Sequence, residues 1–350
     1  MTEKHPCFIA VHVGAGHLSY KKENKYRAAC ANACERAMTY LKQGATAVDA
    51  VTLAIIELED HPITNAGYGS NLTFKGKVEC DASLMDGQSS HFGGVGAVSG
   101  VKNPIKLCQR MVQENKKGLM SLGRVPPIFL CGSGAKEWAQ LHHVDTVPED
   151  SLIEEQAFNT YMTHMQMVHD NMKQGSSSSD ADFGHDTVGA ICVDEFGNIA
   201  SGVSSGGISL KSPGRIGEAA MYGSGCWAQN QNGTNTAGLA CSVSGTGEQI
   251  MRSRFTNKCM DRLLIEDDMH HALSSALKKD FLDSPFLTMY DDKSVGLIAL
   301  RLSKKIEFWY GHVTESMGIG YMSSTSNKSK TFISRKPNNE AFVISGSLVN

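Results

Sequence analysis

The chain has 350 residues, 41% hydrophobic and 20% charged, enough to bury a sizeable core in one large domain or two ordinary ones. A formal net charge of -3 without a Lys/Arg cluster argues against a direct nucleic-acid partner, and with no apolar run of 18 residues no membrane span is expected. The ten cysteines contain no CxxC pair, and Cys30 and Cys34 fall on one helix face, so they read as reduced core residues of an intracellular protein.

The first element in chain order is a buried strand, Phe8 to Val13, reached without a signal-peptide pattern and ending at Gly14-Ala15-Gly16. Those small residues let backbone N–H groups approach a ligand, but no G-x-G-x-x-G follows to support a dinucleotide fold. The spacing of Tyr26, Ala29, Cys30, Ala33, Ala37, Met38 and Leu41 predicts an amphipathic helix from Lys22 to Lys42. Thr46 and Asp49 form the T-x-x-D start of a second helix reaching Leu58.

Thr64 to Asn71 holds two glycines and two asparagines in eight residues, a turn whose amides can donate to an anion. Strands are expected at Val78 to Met85, Gly94 to Gly100 and Ile128 to Cys131, with helices after Asn103-Pro104 and from Gly134 to His142. From Pro148 to Asp186 the composition turns acidic. There Phe158, Tyr161, Met162, Met165, Val168 and Met172 fit a helix face expected to pack on its own domain, and the run from Gly175 to Asp182 reads as a flexible connector.

The connector ends at His185-Asp186-Thr187, and Val188 to Val193 is a buried strand. Cutting between Asp186 and Thr187 would therefore expose a threonine hydroxyl beside its own α-amine, a nucleophile with a built-in base. That amine has an ordinary pKa of about 7.7–8.0, so much of it is unprotonated near neutrality. The chain turns at Asp194 to Asn198 and returns through Ile199 to Val203. Next comes Arg215, set between a proline and glycines, a rigid place for a guanidinium that grips a carboxylate. Ser242 to Gly245 ends a strand, and the following helix start suits an anion. Helices through Leu264 and from Asp267 to Phe281, then strands at Val295 to Leu302, Ile306 to Tyr310 and Met317 to Met322, complete an α+β pattern of layers.

The strings at 11–16, 64–71, 79–87, 186–189, 203–207, 213–217 and 244–248 resemble the asparaginase-type N-terminal nucleophile hydrolases, in order and over nearly the whole chain. Within that family the likeness is greatest to the taspase branch, the threonine aspartases, through Asp186, Ser204-Ser205, Thr314 to Met317 and Gly320 to Ser323. The resemblance implies a four-layer αββα sandwich, self-cleavage into 1–186 and 187–350, and two α with two β chains in one assembly. It requires no cofactor or metal. Thr187 would be the nucleophile and Ser205 would hydrogen-bond its hydroxyl or amine, while Asn65 and the Ser244-Gly245 turn would stabilise an oxyanion. Arg215 would grip a substrate carboxylate, Gly14 would wall the pocket, and Lys22 and Tyr26 would lie near its mouth.

At 218 the small-amide hydrolases carry an aspartate that pairs with the substrate α-amine, whereas this chain has Glu218. One added methylene, and an aspartate rather than a glycine before the cut, together favour a threonine endopeptidase that hydrolyses polypeptides after aspartate. Transcription-regulator precursors would be its protein substrates. An L-asparaginase or isoaspartyl-dipeptide hydrolase is the alternative, and a non-catalytic scaffold a distant third. The resemblance also implies nucleus and cytoplasm, although the loop before Thr187 is acidic and shows no basic import cluster.

Overall fold

The structure, a computed structural model, describes residues 5–174, 186–232 and 236–349, so the expected serine connector and His185 lie outside the described residues. Side-chain alternation along β1 (Phe8–Gly16) sets the layers: Ile9, Val11 and Val13 enter one core, Phe8, Ala10 and Ala15 another. The bulge between His12 and Ala15 accounts for the switch of face at Ala15.

The first core joins this sheet face to α1 (Glu23–Leu41), α2 (Ala47–Glu59), α3 (Pro104–Asn115) and α4 (Gly132–Leu141). Its sheet residues also come from β2 (Cys80–Asp86), β3 (Phe92–Val98), β5 (Val188–Val193) and β6 (Ile199–Ser205). The short β4 (Phe129–Cys131) pairs with β3 in parallel at one edge, and β11 (Ser316–Ser323) with β12 (Lys330–Arg335) forms the other. The strand order is β12-β11-β1-β5-β6-β2-β3-β4.

A second sheet contains β7 (Cys226–Gln229), β8 (Gly238–Gly245), β9 (Val295–Leu302), β10 (Ile306–His312) and β13 (Val343–Val349), ordered β13-β10-β9-β8-β7. The second core lies between the sheets, where Phe8, Ile191, Val193 and Val203 meet Ala240, Ile298, Leu300 and Phe308. On the outer face of the second sheet, Leu239, Cys241, Leu297 and Ala299 form a third core with α6 (Gly247–Ser253), α7 (Phe255–Ile265), α8 (Met269–Ser275) and its π-helical extension Ala276–Leu282. The fold is thus mixed α+β, two sheets packed as a sandwich.

Two expectations need correction. β4 is not a buried strand, because an edge position leaves Cys131 exposed. The Met-rich face of α5 (Glu155–Gln174) is only partly packed: Tyr161, His164, Met165 and Val168 are half-buried along one stripe, while Phe158, Met162 and Met172 are exposed. None of the ten cysteines is in a disulfide, and all but Cys131 are buried. Among the described residues no helix is long and apolar enough to cross a membrane.

Candidate active site

Three strand ends converge where the sheets meet. Thr187 immediately precedes β5, a central strand held between β1 and β6, so its position is fixed by ladders on both sides. Ser205 ends β6 and Ser244 lies at the end of β8 in the other sheet. Thr187 Oγ1 donates to Ser205 Oγ at 3.0 Å and lies 3.4 Å from Glu218 Oε1. The Thr187 backbone N–H donates to Ser244 Oγ at 3.3 Å, and so does the Ala15 N–H at 3.1 Å. Gly245 follows, paired with Val295. In the uncut chain Thr187 is 2% exposed.

Asn65 has a different place from the one expected of an oxyanion donor. Its Nδ2 donates to the Gly207 carbonyl at 2.8 Å, its Oδ1 accepts from the Asn71 N–H, and its carbonyl accepts from the Gly206 N–H. Those bonds hold the turn after Ser205, whose Oγ in turn accepts from the Gly207 N–H at 3.0 Å. Gly14 sits against the residue before the nucleophile: with φ at +117°, any Cβ there would come within 2.4 Å of Asp186 Oδ1. Lys22, His17, Asn65, Asn71, Thr160 and Asp186 line a cavity of about 210 Å³. Tyr26 does not join them; at 7% exposure it belongs to the first core, because it lies on the apolar stripe of α1.

Arg215 lies beside the Gly207 turn and is engaged on both sides of its fork by Glu248, Nε to Oε1 at 2.8 Å and Nη2 to Oε2 at 2.5 Å. Glu218 is buried on the turn preceding Met221. Burial pushes its carboxyl pKa up to about 7, against the pull of the Arg215 charge. Gly247 permits that approach, since a Cβ there would lie 2.6 Å from Glu218 Oε2. Asp81 fixes the same turn, accepting the Gly217 N–H at 2.7 Å and the Ala97 N–H at 2.8 Å.

Sequence reasoning left three supporting groups without a role. Asp81 and Glu248 stand within the family-like strings, yet nothing local shows which atoms they reach. His12, fully buried two residues before the expected glycine turn, contacts Ser242 Oγ at 2.9 Å, and burial pushes its pKa down to about 3, so it stays neutral. Among the described residues no group of three or more His, Cys, Asp or Glu side chains is placed to hold a metal ion.

Behind Ser205 lies a buried carboxyl. Glu59 Oε1 accepts from Ser204 Oγ at 2.6 Å and from the Ile105 N–H at 3.0 Å. Burial pushes its pKa up to about 8 from an ordinary 4.5, so the folded state holds a proton that the unfolded chain releases above that ordinary value. Its contribution to stability is complete below the unfolded pKa and is lost as pH rises through the folded one. Glu59→Gln is therefore expected to flatten the decline of stability across that interval, read as urea midpoints at several pH values. Parallel curves for the two proteins would show that Glu59 does not titrate between the states.

Residues 5–332 match the family described as Asparaginase. The chain belongs to the asparaginase family. An isoaspartyl peptidase/L-asparaginase of Xenopus laevis is 37% identical over 244 residues, covering 70% of this chain and 72% of that protein. The Mus musculus protein of the same name is 36% identical over 245 residues, covering 70% and 68%. An isoaspartyl peptidase of Salmonella typhimurium is 33% identical over 250 residues, covering 70% and 75%.

These names overturn the expectation of a taspase-like endopeptidase cutting after aspartate, and favour the alternative. Asp186 lies against Gly14, and the guanidinium of Arg215 is engaged by Glu248. The extra methylene of Glu218 does not take its carboxylate away from the nucleophile.

Proposed function

We propose that this asparaginase-family hydrolase acts on isoaspartyl dipeptides and L-asparagine after cutting itself between Asp186 and Thr187. The observation that carries the reading is the pair of opposite charges around Thr187: the Glu218 carboxyl 3.4 Å from Oγ1 and the Arg215 guanidinium beside the Gly207 turn. An α-amino acid end presents an ammonium and a carboxylate, and these two groups are its complements.

In this reading the freed α-amine of Thr187 takes the proton from its own Oγ1, which attacks the side-chain carbonyl carbon of the substrate. The C–N bond breaks, ammonia or an amino acid leaves with a proton, and water hydrolyses the resulting ester. Ser205 orients the hydroxyl, Ser244 holds the amine, and Asn65 fixes the turn that carries both Ser205 and Gly207. The three cores support an αββα layering, and two α with two β chains is the assembly expected for it.

The deciding experiment offers the cut protein L-asparagine, a β-aspartyl dipeptide and a peptide containing Val-Asp-Gly. Release of ammonia and of the dipeptide's second amino acid, with the peptide intact, is expected. Cleavage of the peptide alone would overturn the proposal.

A further inference from the structure

A chain that has not yet been cut lacks the free α-amine on which its later turnover depends. Thr187 nitrogen is then an amide, whose N–H already donates to Ser244 Oγ at 3.3 Å. The first cut therefore needs another acceptor for the hydroxyl proton. Among the described residues Thr187 Oγ1 meets Ser205 Oγ at 3.0 Å and Glu218 Oε1 at 3.4 Å. A neutral hydroxyl can accept a hydrogen bond but cannot keep a second proton near neutral pH, whereas a carboxylate can.

We infer that Glu218 is the catalytic base of self-cleavage, the group that takes the Thr187 hydroxyl proton before an α-amine exists. This rests on the reading that Thr187 is released by self-cleavage. Thr187 Oγ1 attacks the carbonyl carbon of Asp186 and its proton passes to Glu218 Oε1. The Asp186–Thr187 C–N bond breaks, and Glu218 returns that proton to the departing nitrogen, leaving Asp186 as an ester on Oγ1. Water then hydrolyses the ester, giving the Asp186 carboxylate and a Thr187 with both its hydroxyl and a free amine. From that point the amine supplants Glu218 as base, and the carboxylate is left for substrate.

The surroundings suit a carboxyl that changes protonation near neutrality. Burial raises Glu218 and Arg215 opposes that rise; Asp81 on β2 and Glu248 on α6 raise it further. Arg252, also on α6, is exposed, and β3 and β6, which pack on the same turn, carry no titratable side chain. A base with a pKa near the working pH combines a useful population of the acting form with enough basicity to draw the proton.

The test follows the full-length chain, made by cell-free synthesis, as it converts to 1–186 and 187–350, measured by intact mass over about pH 5.5 to 8.5 for the wild type, Glu218→Gln and Glu218→Asp. The wild-type rate is expected to rise roughly tenfold per pH unit below neutrality and level off above it, as the carboxylate population saturates. Glu218→Gln is expected to cut on the order of 10²-fold more slowly with no such rise, and Glu218→Asp to recover part of the rate and the profile. Near-ultraviolet circular dichroism of the uncut chains separates a chemical loss from a folding one; if the glutamine chain does not fold, the wild-type profile and the aspartate variant still decide. Wild-type cutting that is flat across the range, or a folded glutamine variant that cuts with the wild-type rate and profile, overturns the role of Glu218 alone. A wild-type chain left whole at every pH overturns self-cleavage, and this inference with it.

Discussion

Thr187→Val leaves the chain at full length and without measurable hydrolysis of asparagine or a β-aspartyl dipeptide. Valine keeps the branched shape and fills the same buried volume, so β5 retains its ladders to β1 and β6. What disappears is the single oxygen that meets both Ser205 Oγ and Glu218 Oε1. Ser205 still accepts from the Gly207 N–H, which limits the cost of the lost contact. Removing a nucleophile that acts as a unit with its base costs on the order of 10⁴-fold or more in rate, so both reactions fall below detection together. Intact mass shows one species in place of two, and ammonia release stays at background, while the melting temperature remains close to that of uncut wild type. Thr187→Ser retains the hydroxyl and is expected to cut slowly. A valine variant that still yields 187–350 would remove Thr187 from the mechanism.

Thr187 stands out in the sequence through local contrast: a polar run ends at Asp182 and a buried strand begins at Val188. The helices were equally readable where one-sided burial imposes a period, as in α1, and where capping chemistry is local, as in the Asp49 N–H donating to Thr46 Oγ1 at 3.2 Å. Three edge strands were not. β7, β12 and β13 are short or half-exposed and owe their strand state to a partner laid alongside, so their own residues carry little alternation. Tyr26 shows the complementary failure: its place on an apolar stripe correctly described a core residue, and likeness to a site position obscured that. Arg215 and Glu248 are 33 residues apart, and no pattern in the chain announces that one closes on the other. The misjudged substrate has the same origin. Distances among Glu218, Thr187 and Arg215 decide which charges a ligand meets, and a residue-by-residue comparison of side-chain lengths does not supply them.

Arg215→Ala is expected to lower kcat/KM for asparagine and β-aspartyl dipeptides by about 10²- to 10⁴-fold, chiefly through a higher KM, because a carboxylate grip acts on bound substrate and transition state alike. The Arg215 side chain is only 13% exposed, so the charge it offers is poorly replaced by solvent. Its loss also acts on the neighbouring acids. Arg215 holds the Glu218 pKa below where burial alone would leave it, so without the arginine that pKa rises above about 7. Self-cleavage, if it runs through the Glu218 carboxylate, then shifts its pH dependence upward, in the same variant but in a separate reaction. Arg215→Lys restores a positive charge without the fork that meets two oxygens at once, and is expected to repair the pH shift better than the KM. The two readouts separate the two roles: a KM unchanged by alanine would remove Arg215 from substrate recognition, whatever the pH profile does. Glu248→Gln bears on the remaining question of competition. Glu248 now engages the guanidinium at 2.8 and 2.5 Å, so any substrate carboxylate must share or displace it. If displacement limits binding, the glutamine variant lowers KM; if Glu248 serves to aim the fork, the same substitution raises it.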